Sequence, residues 1–318
     1  MNRIHFKTTT AGLAALMLLC AAVSAADKTL TLDELFPADR VLDVQITVAV
    51  KDWDRIRRQS RDFVSALHEK RKTEPIDGPY EYVNADVTID GVRFEKVGLR
   101  KKGFIGSQST SRPSLKIKLN HTDKERNIGG LTNLTMNNNK QDGTIVSQYM
   151  GYALFNAAGS PASRCAFAKV TVNGKNLGIY SHVESMRKPL LARAFDDENG
   201  TLYEGTVVDF YEGWEGSLEH KRGDDKQGRE KIRQLIQLLE SEEASEEAIG
   251  RLVDLNAFYR FWAIEGLIGF WDGYSGNANN YFIYLNPKTD RFHFMPWGAD
   301  ALFRKRSMLN FDFRAPIS

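Results

Sequence analysis

The segment from Asp272 to Asp300 constrains the fold more than any other part of this 318-residue chain. It contains an acidic residue and several asparagines, an aromatic strand pattern over 281–285, turn residues over 286–290, a second strand pattern over 291–295, and a second acidic residue. So short a turn predicts a hairpin, which brings the residues before its first strand close to those after its second. The polar residues at the two ends should therefore meet in one small volume. They are Asp272, Asn277, Asn279, Asn280 and Asp300.

The order of these polar residues is typical of one class of catalytic site. Protein kinases place a catalytic aspartate, a metal-binding asparagine, a hairpin and a metal-binding aspartate in that order along the chain. The plainer interpretation is a β-hairpin with polar ends, which most segments of this kind form. The pattern alone leaves both interpretations open.

Residues 1–26 have the pattern of a secretory signal peptide. A basic start precedes an apolar stretch over 11–23, and small residues follow at the expected cleavage point. We expect cleavage after Ala25 or Ala26 and a secreted, periplasmic or cell-surface protein without an integral membrane segment, and an uncleaved anchor is the alternative. Cleavage leaves Cys165 as the single cysteine, so the mature chain forms no internal disulfide.

The charge balance argues against a nucleic-acid partner. Without Arg3 and Lys7 of the leader, the 43 basic residues fall to 41, which equals the 41 acidic residues. A protein that binds nucleic acid carries a clear excess of basic residues. We therefore expect no nucleic-acid partner.

The first half of the mature sequence is rich in strand patterns. Alternating apolar residues predict strands over 41–50 and 114–119 and hairpins over 82–99 and 166–186. Two helices are also predicted there, one over 51–72 and an amphipathic one over 144–158.

The second half has mainly helical patterns. The segment 227–240 is amphipathic, and 255–270 is apolar nearly all round, which predicts a buried helix that leads into Asp272. We expect an α/β (α+β) chain with two lobes, a β-rich N-lobe over about 41–186 and a helical C-lobe over about 187–318.

Four segments of the chain resemble motifs of the CotH kinase family, in the family's order. Residues 97–118 are similar to its arginine–glycine–serine segment and lysine strand, and 172–184 to its NG…GxYxxxE segment. Residues 279–284 (NNYFIY) and 296–300 (PWGAD) are similar to two further motifs. The resemblance covers most of the mature chain, from about Val41 onward, and indicates one kinase-like domain over 27–318.

The resemblance implies an atypical protein-kinase-like fold and a secreted or surface-associated protein. It implies transfer of the γ-phosphate of ATP to serine or threonine hydroxyls of a protein substrate. Asp272 would be the catalytic base. Asp300 would hold Mg²⁺ or Mn²⁺, with the neutral oxygen of Asn280 or of Asn277 as a further ligand.

The same resemblance implies a set of residues that contact the nucleotide. Either Lys118 or Lys116, which share one face of a predicted strand, would neutralise phosphate oxygens, although both also fit a solvated strand face. Arg100 would approach the phosphates. Glu184 would pair with the lysine or mark the adenine side of the site.

Two features depart from the family pattern. Many relatives carry an acidic residue directly after Pro-Trp, where this chain has Gly298. Relatives also continue with further helices beyond the point that corresponds to Ser318, so we expect the helical lobe to be truncated.

Two other functions fit the same residues. The first is a kinase-shaped surface or adhesion protein that binds a partner with little or no catalysis. The second is a secreted hydrolase that uses Asp272 and Asp300 as an acid–base pair, with Trp271, Tyr274 and Trp297 as a sugar-binding platform.

Overall fold

The computed structural model describes residues 29–303 except residues 63, 65–67 and 77. The predicted signal peptide and the last residues of the chain lie outside this part. The described strands are β1 Val41–Val48, β2 Val83–Ile89, β3 Val92–Lys102, β4 Ser114–Lys118, β5 Asn133–Asn137, β6 Cys165–Val172, β7 Lys175–Glu184, β8 Thr201–Gly205, β9 Glu219–Arg222, β10 Tyr281–Asn286 and β11 Arg291–Pro296. The described α-helices are α1 Val50–Arg58, α2 Ser147–Ala157, α3 Lys188–Phe195, α4 Asp225–Leu239, α5 Glu246–Ile249, α6 Leu255–Leu267 and α7 Tyr274–Asn277.

Strands β1 to β7 form a closed barrel in the order β1-β2-β3-β4-β5-β7-β6. Neighbouring strands are antiparallel except for β6 and β1, whose parallel pairing closes the barrel. Alternating burial along strands such as β1 and β2 explains the barrel interior, because every second side chain of a strand faces the same side. In β1, for example, Leu42, Val44 and Ile46 are buried in the core that the barrel encloses.

Strands β8 to β11 form a second sheet of four strands in the order β11-β10-β8-β9. Strand β10 is buried along its whole length, because it lies between β11 and β8 and has apolar clusters on both faces. Helix α6 packs on β11 and leads into the loop that contains Asp272.

The structure confirms a mixed α/β chain and the predicted hairpins, and it adds features that the sequence patterns did not predict. The barrel closure was not predicted, and the helix predicted over 51–72 is α1, which already ends at Arg58. The second half is also less helical than expected, because β8 and β9 extend its hairpin into a sheet. The prediction that α6 is buried all round is wrong, since Tyr259, Trp262 and Leu267 are 39%, 37% and 80% exposed.

None of the helices formed by the described residues is both long and apolar enough to cross a membrane.

Candidate active site

A cleft of about 940 Å³ brings together residues from the barrel, the second sheet and the loops at both ends of the β10–β11 hairpin. Its charged and polar lining comes from β3, β4 and β5 on one side and from β8, β9 and the hairpin ends on the other. The lining includes Tyr82, Arg100, Lys102, Lys116, Asn137, Arg187, Glu204, Lys221, Trp271, Asp272, Asn277, Asn279, Asn280, Trp297, Gly298 and Asp300. The structure thus places the predicted polar residues of the hairpin ends together in one cleft.

The carboxylate of Asp272 accepts hydrogen bonds from three asparagine amides. Its Oδ1 accepts from Nδ2 of Asn277 at 2.8 Å and from Nδ2 of Asn279 at 3.0 Å. Its Oδ2 accepts from Nδ2 of Asn280 at 2.9 Å. An ionised carboxylate has about four lone-pair sites, so these bonds fix its orientation and leave about one site on Oδ2 for a further donor.

The orientation of two of these amides is determined by their other contacts. Asn279 Oδ1 accepts the backbone N–H of Val207 at 3.1 Å, which turns its Nδ2 toward Asp272. Asn280 Nδ2 also donates to the backbone oxygen of Asp272 at 2.9 Å, and its Oδ1 accepts no hydrogen bond from the described residues. Asn280 therefore offers a neutral oxygen beside the carboxylate.

Burial raises the pKa of Asp272 above its ordinary value, although the asparagine amides oppose the rise. Burial and then the negative charge of Asp272 raise the pKa of Asp300 to about 6, against the attraction of Lys102. The two carboxylates line the same cleft, and the charge of Asp272 acts on Asp300 there.

Gly298 makes room for the amide of Asn280. Its φ of +57° is in the left-handed region, and a Cβ added there would lie 2.5 Å from Asn280 Oδ1. An acidic side chain at this position, as in the family pattern, would collide with that amide. The glycine therefore fits the arrangement of Asn280 and Asp300 in this chain.

Lys102 is a basic residue of the cleft whose positive charge lowers the pKa of Asp300. Its Nζ donates to Asn137 Oδ1 at 2.5 Å and lies 5.8 Å from the centre of the Trp297 ring. Burial lowers the pKa of Lys102 to about 8, and the attraction of Asp300 and Glu204 opposes this change. Sequence reasoning missed Lys102 because the predicted hairpin ended at residue 99, although Lys102 is two residues from Arg100 on the same strand face.

Arg100 and Lys116 face each other across β3 and β4, and both line the cleft. Burial, followed by the positive charges of Arg100 and Arg187, lowers the pKa of Lys116 to about 7, against a weaker attraction by Glu204. Arg100, Lys116 and Arg187 therefore repel one another in the cleft, and an anionic ligand bound there would reduce this repulsion.

Two residues that were predicted to contact the nucleotide are not part of the described cleft lining. Lys118 is not among the described residues that line the cleft, and its Nζ lies 5.7 Å from the centre of the Tyr82 ring at the cleft margin. Glu184 also does not line the described cleft. Its fully buried carboxylate pairs instead with Arg193 at 2.5 Å and Arg164 at 3.5 Å.

Glu204 is an acidic residue of the cleft that the sequence patterns did not indicate. It lies on β8, a strand that was itself missed, and pairs with Lys221 at 2.5 Å. Burial alone would raise the pKa of Glu204, but Lys221 and Lys116 outweigh it and the pKa lies below its ordinary value. Glu204 thus places a negative charge among the basic residues that line the cleft.

The three aromatic residues predicted to form a sugar-binding platform do not all line the described cleft. Tyr274 packs against Tyr281 and Phe294 in the core, and its hydroxyl donates to Asp209 at 2.9 Å. Trp271 and Trp297 line the cleft. The packing of Tyr274 weakens the hydrolase interpretation.

The described residues contain no group of three or more His, Cys, Asp or Glu side chains that would hold a metal ion. Mg²⁺ in phosphate-transfer sites needs fewer protein ligands, since it keeps several waters and binds one or two carboxylates together with substrate phosphates. The carboxylate of Asp300 and the Oδ1 of Asn280, which accepts no hydrogen bond from the described residues, suit such a ligand set. Asn277, whose Nδ2 bonds to Asp272, offers a second, more exposed amide oxygen.

Comparison with known proteins places these residues in a family. The profile of the family described as CotH kinase protein matches residues 99–312. Inner spore coat protein H of Bacillus subtilis strain 168 is 26% identical over 186 residues, which cover 54% of this chain and 50% of that protein. Invasin CotH2 of Rhizopus delemar is 22% identical over 250 residues, which cover 71% of this chain and 41% of that protein.

The chain thus spans half or less of the length of these two curated relatives. The family profile covers more than half of the chain and includes most of the cleft residues described above. The chain therefore belongs to the CotH kinase protein family.

Proposed function

We propose that this chain is an exported, metal-dependent protein kinase that transfers the γ-phosphate of ATP to serine or threonine hydroxyls of a secreted or surface protein. The observation that carries the proposal is the meeting of Asp272, Asn280, Asp300 and Lys102 in one cleft. In this interpretation the barrel belongs to an N-lobe over about 41–186, and the second sheet with its helices belongs to a C-lobe over about 187–318.

Asp272 is the proposed base. The asparagine amides hold its carboxylate and leave a lone pair on Oδ2 for the hydroxyl of the acceptor. As the acceptor oxygen forms its bond to the γ-phosphorus and the bond to the ADP oxygen breaks, the hydroxyl proton passes to Asp272. ADP leaves with the bonding electrons of the broken bond.

The remaining residues position and neutralise the nucleotide. Asp300, with Asn280 or Asn277, would hold Mg²⁺ or Mn²⁺, which when bound neutralises charge on the phosphate oxygens. Lys102, Lys116 and Arg100 supply positive charge along the cleft wall. Lys118 is a weaker candidate because it lies at the margin.

Export is supported by the pattern of residues 1–26 and by the names of the relatives, since a spore coat and an invasin are surface settings. The second candidate, a surface binding module with little catalysis, is favoured by the name of the Rhizopus delemar relative. Both candidates use the same cleft, and they differ in whether phosphate is transferred.

The deciding experiment measures transfer from radiolabelled ATP by purified protein to itself and to casein, with Mg²⁺, Mn²⁺ or EDTA. Asp272→Asn and Asp300→Asn are the test variants, and Asp290→Asn, in the exposed turn of the hairpin, is the matched control. We expect metal-dependent labelling that both test variants lose and the control keeps. No labelling, together with no metal-dependent shift in melting temperature on adding ATP, would reject the kinase and favour the binding module.

A further inference from the structure

Helix α6 carries a buried carboxylate that does not line the cleft. Glu265 is 0% exposed and lies near the C-terminal end of the helix, before the loop that contains Asp272. A buried carboxylate is costly unless hydrogen bonds compensate for the lost water. Its partners therefore show what it does in the fold.

Both oxygens of Glu265 accept backbone N–H groups from the first turn of α7. Oε1 accepts the N–H of Tyr274 at 3.1 Å, and Oε2 accepts the N–H of Ser275 at 2.8 Å. The first N–H groups of a helix have no partner within the helix, and a preceding side chain usually supplies one. The residue before α7 is Gly273, which has no side chain to do so. Glu265 thus caps α7 from a different helix.

Gly273 leaves the space that this cap requires. A Cβ on Gly273 would lie 2.4 Å from Oε1 of Glu265, which is closer than a Cβ and an oxygen can approach. Any other residue at 273 would push the carboxylate away from the two N–H groups. Glu265 and Gly273 are therefore complementary.

The capped turn carries the groups that hold Asp272. Asp272 immediately precedes Gly273, and the backbone oxygen of Gly273 accepts the N–H groups of Asn277 at 3.0 Å and Asn279 at 3.2 Å. The side chains of these asparagines donate to Asp272. A shift of the first turn of α7 would move both amides relative to the carboxylate.

We propose that Glu265 is the positioning residue of the Asp272 loop, which acts by capping α7 across the gap that Gly273 provides. Its catalytic consequence rests on the proposed kinase function, whereas its effect on the loop does not. The polar groups near the Glu265 carboxylate are the Tyr274 hydroxyl, which donates to Asp209, and the loop that contains Asp272. Burial raises the pKa of Glu265 to about 7, so experiments at pH 8 examine the ionised carboxylate.

Hydrogen exchange tests the positioning without reference to activity. The peptide over 271–280 is compared in the wild type, Glu265→Gln, Gly273→Ala and the surface control Glu247→Gln, whose side chain is 90% exposed. We expect exchange about tenfold faster or more in both test variants, since the carboxamide of glutamine accepts only one of the two N–H groups, and no change in the control. Exchange over Asn133–Asn137 of β5 should stay unchanged.

Unchanged exchange over 271–280 in Glu265→Gln would overturn the proposal. Faster exchange in β5 as well would also overturn it, because it would show general loss of stability instead of local positioning.

Steady-state kinetics provide the second test of the role of Glu265. If the protein transfers phosphate, Glu265→Gln should lower kcat about tenfold or more and change the KM for ATP less than twofold. A raised KM with unchanged kcat would overturn the catalytic consequence. If the wild type transfers no phosphate, the proposed function fails, and the exchange measurement still decides whether Glu265 positions the loop.

Discussion

The backbone of Gly298 has a φ of +57°, and its missing side chain leaves room for the amide of Asn280. We expect Gly298→Ala to abolish phosphate transfer or lower it at least tenfold, because the new Cβ displaces the amide that orients Asp272. The measurement is transfer from radiolabelled ATP with Mg²⁺, together with the melting temperature.

Gly213→Ala is the matched control for the glycine. Gly213 also has a positive φ of +75°, but a Cβ there meets no atom within 4 Å. Both variants should lose about 1 kcal/mol or more of stability from backbone strain, and only Gly298→Ala should lose activity. Equal activity in the two variants would show that the amide contact does not matter.

Asp300 provides a pH-dependent prediction for the metal-free protein. Its pKa in the folded chain is about 6, above the ordinary value of 3.8, because of burial and the charge of Asp272. The folded state therefore binds more protons than the unfolded state between these values, and this contribution to stability is lost as pH rises toward and through about 6. In EDTA, Asp300→Asn should melt about 2–5 °C above the wild type at pH 7.5 and show a smaller difference at pH 4.5.

Adding Mg²⁺ at pH 7.5 should raise the melting temperature of the wild type and not that of Asp300→Asn, since the variant has lost the charged ligand. The exposed Asp290→Asn is the control and should respond like the wild type. A difference between Asp300→Asn and wild type in EDTA that is the same at both pH values would contradict the burial of an ionised Asp300.

At the scale of elements, strand β4 separates two lysines that the sequence cannot rank. Lys116 and Lys118 share a strand face, but only Lys116 lines the described cleft, opposite Arg100. We expect Lys116→Met to weaken ATP binding about tenfold and Lys118→Met less than threefold. The measurement is the Kd for ATP with Mg²⁺ by calorimetry, and a stronger effect of Lys118→Met would reassign the phosphate contact.

The hairpin of β10 and β11 is the element that the sequence predicts best. Its strand patterns and its turn are local, so the convergence of Asp272 with the asparagines and Asp300 follows from short-range rules. Glu204 and Lys102 were missed for two different local reasons. The segment of β8 lacks clear alternation, and Lys102 lies beyond the predicted end of β3.

Long-range features of the fold had no local signal. The parallel pairing of β1 with β6 joins strands that are more than 100 residues apart, and nothing in either strand indicates its partner. The composition of α6 led to the wrong prediction that the helix is buried all round. Several of its aromatic residues lie on the outer face, and sequence alone does not distinguish them from residues of a buried face.

At the scale of the molecule, the barrel and the second sheet are connected through the buried carboxylate of Glu184. This residue ends β7, accepts the backbone N–H of Arg164 at 3.0 Å, and pairs with Arg193 on α3, the helix that leads to β8. Arg164 in turn pairs with Asp33 of the N-terminal segment at 2.8 Å. This charged cluster of Glu184, Arg164, Arg193 and Asp33 thus joins the barrel, α3 and the N-terminal segment. None of the four residues lines the described cleft.

We expect Glu184→Gln to lower stability by about 2–3 kcal/mol, since it removes the charge from a buried group between two arginines that are themselves partly exposed. Glu198→Gln is the matched control, because Glu198 pairs with the more exposed Lys188 at the start of α3, and it should cost less than about 1 kcal/mol. Urea denaturation measures both values. The KM for ATP should stay within twofold in Glu184→Gln, and a large rise in KM without loss of stability would instead assign Glu184 to the nucleotide.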